Sequence, residues 1–306
     1  MNHERRALIM ALLAVLCWST VATAFKLALA VLTPAWLLTL AVTTSWLFLS
    51  GLIVWRRQWG SAWSGFRQHW RSHLRQALIN PVCYYLILFE AYDLLPAQQA
   101  QAINYTWAIT MSLLAVPLLG QRLFPRDGVA LLLAYLGVLV IATRGDVLGL
   151  QFDSPLGVGL ALVSTLLWAL YWILNTRAAR AEQTNSSPQD ATVTLWGSFM
   201  LAVPILWLIA IVRDGAPALS LQGLLGGLYV GLFEMGITFV LWQTAMNLTR
   251  RTAAISSLIF LSPFLSLIFI SQILGEPVQL ATLGGLVLIM AGLAVQKLGG
   301  AKTAGA

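Results

Sequence analysis

The sequence predicts an all-α membrane protein with ten transmembrane helices, arranged as two inverted five-helix repeats with both termini in the cytoplasm. Three observations support this prediction: the scarcity of charged residues, the sorting of lysine and arginine between alternate connections, and the similarity of the two halves of the chain. Of the 306 residues, 59% are hydrophobic and 9% are charged, whereas soluble domains carry about 25% charged residues. A chain this apolar needs the bilayer as its solvent.

Ten apolar segments, separated by polar residues, proline or glycine, are long enough to cross a hydrocarbon core of about 30 Å. They cover approximately residues 7–31, 35–56, 74–95, 98–120, 126–144, 155–178, 191–212, 220–247, 251–274 and 278–297. The first segment resembles a signal peptide because Arg5 and Arg6 precede it. It is too long for the apolar region of such a peptide, so we predict a spanning helix there.

Lysine and arginine are strongly biased toward one side of the predicted membrane. Of the 18 basic residues, 15 lie at span ends, in connections or in termini that share one side of the membrane if there are ten helices. Arg144 and Arg213 fall on the other side, and Lys26 lies inside the first helix. The positive-inside rule then places both termini in the cytoplasm. An odd number of helices would mix the two groups.

The connection at 57–73 mixes tryptophan and phenylalanine with arginine. Its aromatic residues are Trp59, Trp63, Phe66 and Trp70. This composition favours a segment that lies in the headgroup region of the membrane. An ordinary basic loop explains the same composition equally well.

The remaining composition argues against several classes of function. The net charge of +7 is spread over short connections rather than one face of a domain, so we expect no nucleic-acid partner. His3, His69 and His73 all lie in polar connections, and the chain lacks the HExxH, GxSxG and P-loop patterns. We therefore expect no catalytic residues, metal or cofactor, and no enzyme. Cys17 and Cys83 lie in apolar segments and are expected to be small buried residues.

The two halves of the chain resemble each other. A shift of 155 residues aligns Gly137 with Gly292 in similar apolar surroundings, and a shift of 150 residues aligns Trp18 with Trp168. Each half holds five predicted helices, and an odd number places the second half in the membrane upside down relative to the first. Such inverted repeats are typical of transporters that bind substrate near the bilayer midplane.

Several motifs resemble the EamA-type branch of the drug/metabolite transporter superfamily, and together they span essentially the whole chain. They are Leu16-Cys17-Trp18-Ser19-Thr20, Leu167-Trp168-Ala169-Leu170-Tyr171, the run from Ile255 to Pro263, Leu274-Gly275-Glu276-Pro277, and the glycines Gly284, Gly285 and Gly292. The resemblance implies two EamA-like repeats, which we place at 1–150 and 151–306.

A finer resemblance concerns the aromatic amino acid exporter subgroup of that family. It rests on Trp18-Ser19-Thr20 together with Asn104-Tyr105 and the nearby Trp107. Gln121 and Ala108 depart from the family pattern, which often has glutamate and proline at these places. The resemblance implies export of amino acids or of related metabolites and drugs, and it does not fix the substrate.

Ionisable residues inside predicted spans are functional candidates because their insertion into the membrane is costly. Lys26 and Glu90 lie at matching depth, so we predict an ion pair that either holds two helices together or forms a gate. Glu234 lies near the middle of the eighth span, on a stripe with Gly227 and Gly231. It would hold the ammonium group of a substrate or carry a coupling proton. A hydrogen bond to a neighbouring helix is the alternative.

Polar and aromatic residues at membrane depth complete the predicted substrate site, although helix packing explains each of them as well. The predicted substrate-binding residues are Trp18, Ser19, Tyr84, Asn104, Tyr105, Trp168, Glu234, Ser256 and Phe260.

The sequence thus predicts a secondary transporter that exports aromatic or other neutral amino acids across the bacterial inner membrane. Alternating access through a central cavity is the expected mechanism. The alternatives are a multidrug or other metabolite exporter of the same fold, and a membrane scaffold without transport activity. The expected partners are a small-molecule substrate and the lipid bilayer, with the chain acting as a monomer or a loose dimer.

Overall fold

The computed structural model describes residues 3–120, 124–149, 152–182, 191–217, 220–249, 255 and 257–300, and all regular structure within these ranges is helical. The α-helices are α1 (His3–Leu29), α2 (Pro34–Trp55), α3 (Trp59–Ala77), α4 (Tyr84–Leu94), α5 (Ala97–Asn104), α6 (Trp107–Leu119), α7 (Pro125–Ala142), α8 (Pro155–Glu182), α9 (Ala191–Asp214), α10 (Leu221–Val230), α11 (Ile237–Leu248), α12 (Ser262–Phe269) and α13 (Leu280–Gly300). Three π-helical segments, Leu78–Cys83, Gly231–Gly236 and Ile270–Leu274, and a 3₁₀ turn, Leu258–Leu261, interrupt them.

Seven of the described helical stretches are long and apolar enough to cross a membrane. They are His3–Leu29, Pro34–Trp55, Ala97–Leu119, Pro125–Ala142, Pro155–Arg177, Ala191–Asp214 and Leu221–Leu248. Two further apolar stretches, Leu258–Leu274 and Leu280–Gln296, are shorter. The predicted span 74–95 falls on the end of α3, a π-helical segment and the short α4. The all-helical class is confirmed, while the count of ten and the side of each terminus stay predictions.

Helix α1 shows how the sequence suits a lipid environment. Its small residues face the protein, since Ala7, Ala11 and Ala14 have no exposed surface. Several of its leucines face outward, since Leu12 and Leu16 are 43% and 48% exposed. Small residues let helix backbones approach closely in a membrane, where hydrophobicity alone does not drive helices together.

The chain divides into two compact units, and each unit takes residues from both halves of the sequence. The first comprises Met1–Phe89 and Ser187–Leu274, and the second comprises Glu90–Ser186 and Gly275–Ala306. In the first unit, α1 packs on α11 and α12, whereas α2 packs on α9 and α10 and α3 packs on α9. In the second unit, α7 packs on α13 and α6 packs on α8.

Glycines bring α7 and α13 into backbone contact. A Cβ atom at Gly137 would lie 2.5 Å from the carbonyl oxygen of Gly285, and a Cβ atom at Gly292 would lie 2.6 Å from the carbonyl oxygen of Ala130. The shift of 155 residues that relates the two halves exchanges these two contacts. A two-fold axis between equivalent helices produces such an exchange.

The connection at 57–73, for which a basic loop was one interpretation, is instead largely helical, because α3 begins at Trp59. The ring centroids of Trp59, Trp63 and Phe66 lie 5.6, 6.4 and 6.1 Å from that of Trp196 in α9. These aromatic contacts hold one face of α3 against α9.

His73 lies in the same contact, on the part of α3 that precedes the third predicted span. Its side chain is 1% exposed and stacks on Phe66, with ring centroids 5.6 Å apart. A Cβ atom at Gly197 would lie 3.1 Å from the imidazole, so the ring rests directly on the backbone of α9. Burial and, to a smaller extent, the nearby His69 lower the pKa of His73 to about 4, even though a hydrogen bond with the backbone of Thr194 acts in the opposite direction. The ring is therefore neutral at pH 7.

We expect Gly285→Ala to lower the free energy of unfolding by about 1–3 kcal/mol, because the new methyl group would meet the side chain of Ile141 and the backbone of Gly137. Thermal unfolding in detergent measures this as a lower Tm. The matched control is Gly284→Ala, since no atom lies within 4 Å of a Cβ atom there. Equal Tm values for the two variants would contradict the close contact.

We expect acid to destabilise the protein through His73. An unfolded histidine takes up a proton near pH 6.5, whereas folded His73 resists protonation until about pH 4. Stability should therefore fall as the pH drops between these values and level off below them. His73→Gln should reduce the difference between Tm values measured at about pH 7 and about pH 5. His69→Gln, the control, should keep most of that difference.

Candidate functional site

Glu234 lies in the middle of the helical stretch Leu221–Leu248, on its π-helical segment. Its Oε1 atom accepts a hydrogen bond of 2.7 Å from the Tyr85 hydroxyl. Its Oε2 atom is shielded from solvent and has no hydrogen-bond partner among the described residues. A shielded carboxylate oxygen without a partner is costly. A bound cation or a proton would relieve this cost.

The π-helical segment is held in place by close contact with α2. A Cβ atom at Gly231 would lie 2.4 Å from the carbonyl oxygen of Ala41 and 2.7 Å from the Cβ atom of Thr44. The buried hydroxyl of Thr238 donates to the carbonyl of Phe233 within this irregular stretch. π-helical insertions of this kind are common at functional sites.

The glycine stripe on which Glu234 lies is filled by α2 and leaves no open space at its glycines. A Cβ atom at Gly227 would lie 2.6 Å from Leu40, and the surface of Gly231 is filled by α2 in the same way. The small residues therefore serve close helix packing. Any space for a ligand must lie on another side of the helix.

Tyr85 was missed by the sequence analysis, which chose its neighbour Tyr84. Both side chains are buried, at 1% and 4% exposure, and their rings lie 4.6 Å apart. Tyr85 is the residue that reaches Glu234. A pair of adjacent tyrosines in one span marked the place, but the spacing alone could not tell which hydroxyl would meet a carboxylate on a helix 149 residues later.

Aromatic rings gather around Trp18 in the first unit. Its ring centroid lies 6.0 Å from that of Phe239 and 5.4 Å from that of Trp242, and all three residues are only partly covered. Phe239 and Trp242 follow Glu234 on the same helical stretch, about 7 and 12 Å farther along its axis. One helix thus carries both the carboxylate and part of an aromatic surface.

Ser19 is fully buried, which favours a role in packing. Its hydroxyl donates to the carbonyl of Val15 at 2.6 Å and lies 3.3 Å from the hydroxyl of Ser262. Phe260 lies in the 3₁₀ turn before α12 and is partly exposed. Ser256 lies outside the described residues.

Asn104 and Tyr105 lie in the second unit, at the end of α5 where the helix is briefly interrupted. The Asn104 side-chain amide donates to the Ser164 hydroxyl at 2.9 Å. Thr110 continues this contact with α8, because its hydroxyl lies 3.1 Å from that of Thr165. These bonds link neighbouring helices, so they favour the packing interpretation for Asn104.

Trp168 is the centre of a second aromatic group. It stacks on Tyr171 at 5.5 Å and lies 6.4 Å from Trp107 and 6.0 Å from Trp172. Trp18 belongs to the first unit and Trp168 to the second. Their joint role around one central site stays a prediction.

Lys26 and Glu90 also fall in different units, so their ion pair or gate stays a prediction. The expectation for the cysteines needs correction. Both are free thiols, and neither is fully buried: Cys17 is partly covered and Cys83 is exposed. Cys83 borders the end of a π-helical segment and precedes α4, where it points away from the packed side of the helix.

Comparison with known families decides the class of protein. The sequence pattern of the EamA-like transporter family matches residues 5–143 and 155–296. The chain belongs to the EamA-like transporter family. It is accordingly a multi-pass membrane transporter rather than an enzyme.

Two curated relatives are also named as transporters. The chain is 26% identical to the uncharacterized transporter YvbV of Bacillus subtilis (strain 168) over 73% of its own length and 70% of that protein. It is 25% identical to an uncharacterized transporter encoded in the sor 3' region of Acidianus ambivalens, over 69% of its length and 78% of that protein. Neither name gives a substrate.

A solved crystal structure shares the fold. It covers 95% of this chain and 96% of its own, with 23% sequence identity and a TM-score of 0.66. At this identity the likeness shows the fold alone.

We expect Gly231→Ala to disturb the position of Glu234, because the added methyl group would meet the backbone of α2. The predicted result is a lower Tm together with reduced transport. Gly159→Ala in α8 is the control, since the surroundings of Gly159 are open within 4 Å. A Gly231→Ala variant as stable and active as this control would contradict the proposed importance of the contact.

Proposed function

We propose that this transporter exports aromatic or other neutral amino acids by alternating access, from the cytoplasm across the bacterial inner membrane. The observation that carries the proposal is the shielded Oε2 atom of Glu234, which has no hydrogen-bond partner in the described part of the chain and lies in the middle of a membrane-spanning helix. A zwitterionic amino acid offers an ammonium group to such an oxygen. The motif resemblance to aromatic amino acid exporters supports the same substrate class.

The surroundings of Glu234 suit the rest of such a substrate. The partly covered rings of Trp18, Phe239 and Trp242 provide an apolar surface for a side chain. Edge-to-face and tilted aromatic contacts with a substrate ring would add about 0.5–1.5 kcal/mol each. Tyr85 fixes one carboxylate oxygen and so leaves the other oriented for the ligand.

A lipophilic cation is the second candidate substrate, because it would also satisfy a carboxylate beside aromatic rings. The partly covered state of the Trp18 group favours this candidate as well. Both proposals use the predicted ten-helix topology of two inverted repeats, with both termini in the cytoplasm. They require no cofactor, and the chain acts as a monomer or a loose dimer.

Counterflow in proteoliposomes tests the proposal. We expect neutral aromatic amino acids to exchange, and Glu234→Gln to reduce the exchange at least tenfold, since a hydrogen bond to a charged group contributes about 1.5–3 kcal/mol. Asp93→Asn is the matched control, because it makes the same change at an exposed carboxylate and should leave exchange intact. Trp18→Ala should reduce the exchange of aromatic amino acids more than the exchange of alanine.

Three results would separate the alternatives. If only a cationic dye moves and no amino acid competes, the multidrug function replaces the amino acid function. If Glu234→Gln retains exchange but loses accumulation driven by a pH gradient, Glu234 carries a coupling proton. If Glu234→Gln and Asp93→Asn behave alike, Glu234 does not form the site.

A further inference from the structure

The outer surface of α3 combines arginine with tryptophan. The proposed transport through the Glu234 site involves none of these α3 residues. From Arg56 to Phe89 the sequence contains five arginines and no aspartate or glutamate. All five arginines are exposed: they are Arg56, Arg57, Arg67, Arg71 and Arg75. This stretch is therefore a surface of one sign of charge, and its ligand must be anionic.

Tryptophan accompanies these arginines. Trp55 is 79% exposed, and Trp59, Trp63 and Trp70 are 44–47% exposed. The guanidinium of Arg71 lies over the ring of Trp70, 5.5 Å from its centroid. Exposed tryptophan is costly in water but favourable at the level of lipid headgroups, where its ring is apolar and its N–H group finds a partner.

The order of residues around α3 separates this surface from the packed face. His69 has non-helical backbone angles that kink α3, so the two parts of the helix are ordered separately. At 100° per residue, Trp63 stands next to Phe66 on the packed side before the kink, and Arg67 stands beyond it. After the kink, Trp70 stands about 60° from the buried His73, whereas Arg71 and Arg75 stand about 160° from it. Aromatic residues therefore border the protein core and basic residues lie beyond them. A helix that rests at a membrane surface shows this arrangement.

We propose that α3 and the preceding Arg56 and Arg57 bind the phosphate groups of anionic phospholipids, so that this transporter carries a built-in site for such lipids. The five arginines supply the charge complementarity, and guanidinium groups pair well with phosphate. The tryptophans favour a lipid over free phosphate, because their rings insert at the membrane–water interface that lipids form and free phosphate does not. Headgroups without net charge would bind more weakly.

Native mass spectrometry of the purified full chain tests this proposal. The probes are phosphatidylglycerol and phosphatidylethanolamine added at equal concentration in low salt. We expect Arg67→Gln/Arg71→Gln to weaken phosphatidylglycerol binding about 30-fold and to leave phosphatidylethanolamine binding nearly unchanged. Each basic residue at an anionic membrane surface contributes about 1 kcal/mol, and 1.4 kcal/mol is a factor of ten.

Arg5→Gln/Arg6→Gln is the matched control. It removes two exposed arginines at the start of α1, on the side of the membrane that the sequence predicts for α3 as well. If both double variants lose phosphatidylglycerol equally, the binding reflects total charge and the proposal is wrong. Trp70→Ala should also weaken binding, while excess inorganic phosphate should not displace the lipid. Displacement by phosphate would instead identify a phosphate site and overturn the proposal.

The lipid-binding results do not depend on the transported substrate, because mass spectrometry measures binding rather than flux, and counterflow measures exchange separately. A variant with normal exchange and lost lipid selectivity would support the lipid site alone. Normal lipid selectivity with no amino acid exchange would refute only the proposed transport function.

Discussion

Close approach of helix backbones is the constraint on which the described structure depends. Inside a membrane, helices gain little from hydrophobicity alone, so their association relies on packing and on hydrogen bonds between side chains. At Gly231 the carbonyl of Ala41 occupies the space in which a side chain would stand. The same holds where Gly137 and Gly285 meet. Many large side chains face outward instead, as Leu12 and Leu16 of α1 do.

This constraint also determines where Glu234 can act. Contact with α2 fixes one side of the helix, and the π-helical segment changes the direction in which residues beyond Gly231 project. Tyr85 then holds one oxygen of the carboxylate. A charged group at membrane depth is tolerated when its surroundings are this well defined. The remaining oxygen is available for chemistry that changes during a transport cycle.

Most of the fold could be predicted from the sequence because its signals are local. Apolar runs and the polar, proline or glycine residues between them placed α1, α2, α7 and α9 within a few residues of their observed ends. The sequence could not show whether residues 57–73 form a helix or a loop. The helix there packs on Trp196 of α9, which is distant in sequence. Interruptions were also hard to foresee, because these spans are apolar on nearly every side and offer little periodic contrast in which the shift caused by a π-helical insertion could be seen.

The site was predicted less completely, for the same reason. Glu234 and Trp18 were chosen as candidates because charge and large rings are conspicuous in an apolar span. Tyr85 was not, since its importance arises from one hydrogen bond between distant helices. Ser19 and Asn104 stay predictions, and their observed hydrogen bonds show that polar residues in such spans also join helices.

The reciprocal glycine contacts of α7 and α13 have a consequence for how the chain must be assembled. The two helices of this pair come from different halves of the sequence. The first unit likewise combines helices from both halves. Neither half can complete a unit during synthesis until the other has entered the membrane. Two fragments produced by a cut in the connection at 145–154 would therefore be unstable separately, but would recover both units when made together. The two halves of this chain therefore complement each other structurally, as two separate subunits would, although one peptide connection joins them.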